Sequence, residues 1–73
     1  MSASTYIIVE EWYPCLNEEI KRMCSIDTIY RGIRNRQTIA LIDAFENMRQ
    51  VVDMRTGPNR AAYTAITNAL RQA

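Results

Sequence analysis

Arg31, Arg34 and Arg36 place three guanidinium groups within six residues, with no acidic residue between them. Guanidinium groups pair with guanine edges, phosphates and carboxylates, so this cluster is suited to gripping a partner and not to making bonds. Bond-making residues are scarce elsewhere. There is no histidine, which removes the commonest general base and the commonest metal ligand together. Cys15 and Cys24 are the only cysteines; without an imidazole neither has the usual base to generate a thiolate, and two separated thiols do not make a zinc site. Glu10-Glu11 and Glu18-Glu19 are adjacent pairs, so their side chains diverge where acid–base catalysis needs convergence. The only glycines, Gly32 and Gly57, precede no Lys-Ser or Lys-Thr, so there is no phosphate-binding loop. The expectation is a non-enzymatic protein with no metal, no cofactor and no small-molecule substrate.

These side chains must be positioned by a small scaffold. A chain of 73 residues makes one domain, 1–73, with residues 1–5 expected to be a flexible tail, and buries only about 60% of its unfolded surface. Thr5 to Val9 is β-branched and aromatic, which predicts a short N-terminal extended arm or strand. The rest reads as mostly α, with three or four helices. Pro14 suits a first turn, and Leu16, Ile20 and Met23 form a stripe between Cys15 and Cys24. In the same stretch Glu18 and Arg22 are spaced for an i,i+4 pair. Ser25 is the expected N-cap of a second helix of about nine residues, with Ile26, Ile29, Tyr30 and Ile33 on one face and a stop at Asn35. Gly32 inside that helix costs about 1 kcal/mol relative to alanine, so the helix depends on packing.

From Gln37 to Met54 the spacing of Leu41, Phe45, Met48 and Val52 is that of a helix-pairing seam, widened by Ala44 and Val51. A core this small rarely supplies more than about 3–5 kcal/mol unaided, so these four residues are the expected interface of a homodimer. Thr56-Gly57-Pro58-Asn59 is a stop and restart, and a last helix carries Ala62, Tyr63, Ile66, Ala69, Leu70 and Ala73 on one face, closing an αα-hairpin. The two cysteines suit a reducing compartment, and the apolar run near the N-terminus is too short for a membrane span, so a cytoplasmic protein with no membrane contact is expected.

Two partner classes fit this layout. Tyr6, Trp12 and Tyr13 cluster near the N-terminus, and Ile39 and Ile42 lie off the main stripe of their helix. Exposed aromatics and aliphatics of this kind anchor protein interfaces, which predicts a regulatory interaction protein, an adaptor or inhibitor of the sort viruses and mobile elements encode.

The alternative rests on a resemblance. Tyr6-Ile7-Ile8-Val9-Glu10-Glu11-Trp12 resembles the opening of excisionase-type and MerR-like helix-turn-helix domains, and Ser25 to Arg34 is similar to their recognition helix, in which a serine is followed by threonine three residues on and arginines further along. The spacing admits a helix-turn-helix over 15–35. The resemblance implies a DNA-binding regulator, with Thr28, Arg31 and Arg34 facing the major groove and Arg36 on a phosphate. Two features differ from that pattern: the segment between Trp12 and Ser25 is longer, and an amphipathic helix stands where those families carry a basic wing.

Overall fold

The computed structural model describes residues 3–48 and 57–73. Among the described residues the chain is helical, with no strand: α1 (Ala3–Trp12), a 3₁₀ turn (Tyr13–Cys15), α2 (Glu18–Met23), α3 (Ile26–Arg34), α4 (Thr38–Met48) and α5 (Gly57–Gln72). Helix α5 lies against both α1 and α4, and α3 packs on α4 and α1. The connection from α4 to α5, which the hairpin expectation needs, lies outside the described residues, as do Val51 and Val52.

The expected N-terminal arm is instead a helix. Thr5 and Val9 are buried and Trp12 is half-buried, a 4–3 spacing that puts one face of α1 on the core. Strand propensity describes fit to a pleated surface and loses its force where no neighbouring strand exists; packing of an apolar face then decides. Helix α1 already begins at Ala3, and Thr5, within the segment expected to be a tail, is buried.

Helix α2 begins at Glu18 and not at Cys15. Asn17 caps it, its side chain accepting from the Glu19 N–H at 2.7 Å, and the two glutamates of the first turn and Lys21 and Arg22 of the last complement the helix dipole. The ion pair that forms is Glu18–Lys21 at 2.9 Å, one residue short of the expected Glu18–Arg22 spacing; the Lys21 ammonium holds the Glu18 carboxyl below its ordinary range. The helix ends at Met23, and extended backbone at Cys24 turns that thiol into the core. Met23, expected in the apolar stripe, is therefore 54% exposed while Cys24 takes the buried place.

Helix α3 starts and stops where its sequence predicts. Ser25 Oγ accepts from the Thr28 N–H at 3.2 Å, and Ile29 and Ile33 are buried. At the other end the Gln37 N–H donates to Gly32 O at 2.8 Å and the Arg36 N–H to Ile33 O at 3.2 Å. These two bonds are the Schellman closure of a helix C-terminus, with Asn35 as C-cap. Gly32 also explains its own presence: a Cβ built there would lie 2.7 Å from Leu41 Cδ1 and 2.9 Å from Leu41 Cγ. A Cβ here would force the Leu41 side chain to shift.

In α4 the residues Leu41, Phe45 and Met48 are buried within one chain, and the Phe45 ring meets Tyr63 of α5 edge-on at 5.9 Å. The stripe expected to form a homodimer interface thus belongs to the chain's own core, because α3 and α5 already cover it; Val52 lies outside the described residues. Ala44, expected to widen the stripe, is exposed. In α5 the residues Ala62, Tyr63, Ile66, Ala69 and Leu70 are buried as expected, and Ala73 is exposed. Thr67 is also buried, its hydroxyl donating to Tyr63 O at 2.9 Å. Two side chains tie the loop before α2 to the rest: Asn59 Oδ1 accepts from the Asn17 N–H at 2.7 Å, and the Tyr13 hydroxyl donates to Cys24 O at 2.7 Å.

Gly32→Ala gains about 1 kcal/mol of helix propensity but forces Leu41 out of place, and overpacking of this kind costs about 1–3 kcal/mol. The expected result is a lower urea midpoint than wild type; an unchanged or higher midpoint would show that α3 and α4 are not in such close contact. Burial and the Cys24 side chain raise the Tyr13 pKa, so its contribution to stability is whole below pH 10 and is lost as the pH climbs through the raised value. Tyr13→Phe is expected to lower stability by about 0.5–1.5 kcal/mol at neutral pH. In alkaline titrations followed by circular dichroism, the gap between the two proteins should narrow above pH 10.

Candidate nucleic-acid interface

The outward face of α3 carries the chain's arginine cluster. Its inner face is filled by Ile29, Gly32 and Ile33, which leaves Asp27, Thr28, Arg31 and Arg34 exposed together. Three and four residues of separation bring these side chains onto one strip about two turns long. Thr28 has a second duty, because its hydroxyl lies 2.8 Å from Ser25 Oγ in the helix cap. Beside the strip runs a shallow groove between α3 and α4 lined by Thr28, Arg31, Gly32, Gln37, Ala40 and Leu41. Its floor is apolar and its rim holds a guanidinium and a carboxamide. Arg31 and Arg34 also suit the negative end of the α3 dipole.

Arg36 is exposed and follows α3 in the left-handed backbone region, at φ 58°. That is the position at which helices most often place glycine. An arginine there accepts a backbone cost of about 1–2 kcal/mol, and its guanidinium adds to those of Arg31 and Arg34 at the same end of the helix.

The residues expected to bind a protein are placed differently. Tyr6 is half-buried against Tyr30 of α3, ring centroids 5.6 Å apart, and Trp12 packs on the core. Tyr13 is half-buried with its hydroxyl spent on Cys24 O and, at 3.3 Å, Lys21 O. The aromatic trio is therefore engaged in holding α1, α2 and α3 together. On α4, Ile42 is half-buried against the core, while Ile39 is 75% exposed. The sequence reading missed Ile7, which is 60% exposed; reading residues 3–12 with a helical period would have placed it opposite Val9.

Both cysteines are free thiols; Cys24 is buried, which pushes its thiol pKa up, and Cys15 is exposed. Among the described residues no three histidine, cysteine, aspartate or glutamate side chains gather as a metal site, and no helix is long and apolar enough to cross a membrane.

Arg36→Gly removes the left-handed strain and is expected to raise stability by about 0.5–1 kcal/mol. Arg36→Val, with a branched Cβ at positive φ, should lower it. Urea midpoints of the two variants falling in the opposite order would show that residue 36 does not hold this conformation.

No family model, curated protein or solved structure matches this chain.

Proposed function

We propose that the chain is a non-enzymatic regulator that binds duplex DNA through the outer face of α3. The observation that carries this reading is the joint exposure of Thr28, Arg31 and Arg34 on a helix whose opposite face is buried, with Arg36 held just beyond it. Cys24 and Ser25 separate α2 from α3, and a short helix, a tight break and a second helix is the order in which helix-turn-helix proteins present a recognition helix. With a net charge of only +1, attraction for phosphate depends on local clusters of basic residues, and Arg31, Arg34 and Arg36 form one. The resemblance of residues 25–34 to excisionase-type and MerR-like recognition helices points the same way, and α4 takes the place of their wing.

A second reading, a regulator that binds another protein, is favoured by one observation: Ile39 is largely exposed on α4, with half-buried Ile42 on the same side of the helix. Against it, Tyr6, Trp12 and Tyr13 are occupied within the fold.

The test is an electrophoretic shift on duplex DNA across a range of salt. Wild type is expected to bind at low salt, with an affinity that falls steeply as salt rises. Arg31→Ala/Arg34→Ala should bind far more weakly with a shallower salt slope, and Arg36→Gly should lose part of the slope while remaining folded. No shift at low salt by a fully helical protein would refute the DNA reading and leave the protein-partner one.

A further inference from the structure

The strip on α3 contains one residue that does not suit a surface built only to attract phosphate. Asp27 is exposed in the first turn of the helix, four residues before Arg31 and on the same side. Among the described residues neither side chain is held in an ion pair. Ser25 Oγ meets both the N–H and the hydroxyl of Thr28, at 3.2 and 2.8 Å, so the first turn is fixed and Asp27 is carried on its rigid outer side.

In a DNA groove a carboxylate is repelled by both phosphate strands. It is accommodated where it accepts a hydrogen bond from a base, and in the major groove the exocyclic amine of cytosine is the donor that carboxylates read. The first turn of a recognition helix is also the part that reaches base edges. We infer, on the footing of the DNA reading above, that Asp27 and Arg31 are specificity-determining residues that select a cytosine and a guanine in one short stretch of major groove. The carboxylate of Asp27 takes the cytosine N4 amine; the guanidinium of Arg31 takes guanine O6 and N7. One helical turn separates them, about 6 Å along α3, or roughly two base-pair steps. Asp27 thus lowers affinity for every sequence that offers no cytosine at its position, the N7 acceptor beside the amine of adenine repelling the second carboxylate oxygen, and so turns a general attraction into a selective one.

The experiment is binding selection from a pool of randomised duplex oligonucleotides at moderate salt, with the full chain as wild type, Asp27→Asn, Asp27→Ala and Arg31→Ala, each checked for helicity. Wild type is expected to enrich a cytosine and a guanine within about two base pairs of each other. Asp27→Asn should exchange the cytosine for adenine, since a carboxamide pairs with adenine N6 and N7, a change of preference of about fivefold or more. Asp27→Ala should bind random duplex at least as tightly as wild type while losing the cytosine, and Arg31→Ala should lose the guanine. Enrichment left unchanged in both Asp27 variants would overturn the inference, as would duplex binding by wild type with no enriched sequence; both outcomes leave the DNA reading standing. A folded wild-type chain that retains no duplex at all overturns the two together.

Discussion

The contact between Gly32 and Leu41 is the joint on which the arrangement of α3 depends. The absence of a Cβ at Gly32 lets α4 come within van der Waals distance of α3, and the carbonyl of the same residue receives the Gln37 N–H that ends α3. One residue therefore sets both how near the two helices lie and where the first of them stops. Turned in this way, α3 gives Ile29 and Ile33 to the core and its arginines to the outside. A bulkier residue would press on Leu41, so the placement of the arginine strip and the packing of the fold share a single point of support.

The rest of the molecule holds that joint in place with few large contributions. Every α-helix gives at least one side chain to the buried cluster, from Val9 of α1 to Leu70 of α5, and no disulfide reinforces it. Polar tethers on the connecting segments do what extra core would do in a larger protein: Asn17 and Asn59, and Tyr13 with Cys24 O, pin the stretch between α1 and α2. Such bonds are each worth about 1 kcal/mol, small singly but a large share of what a domain of this size has to spare.

Much of this was readable in the amino-acid order, and the exceptions have physical causes. The boundaries of α3 followed from Ser25 and Asn35 because capping is local chemistry, and the buried face of α4 followed from Leu41, Phe45 and Met48 because helical period is local too. Whether that face met the same chain or another was not readable, since it depends on where α3 and α5 lie. Residues 5–9 misled for a related reason: β-branched side chains favour a strand only if another strand is available, and α5 offers a helix surface instead. The arginine cluster was visible as composition, and its exposure followed once Ile29 and Ile33 were assigned inward. The engagement of Tyr13 and Tyr6 could not be foreseen, because their partners, Cys24 O and Tyr30, are brought up by turns whose geometry no spacing rule supplies.

The position of α5 between α1 and α4 bears on how the molecule is made. Its buried side chains are synthesised after both of the surfaces they cover, long after α1 and soon after α4. A nascent chain therefore carries the face of α1 that meets α5 uncovered until α5 has emerged, and joins these two helices by contacts far apart in sequence. Contacts of long sequence separation form more slowly than local ones, and until they form the exposed face is open to capture by chaperones or by its neighbours.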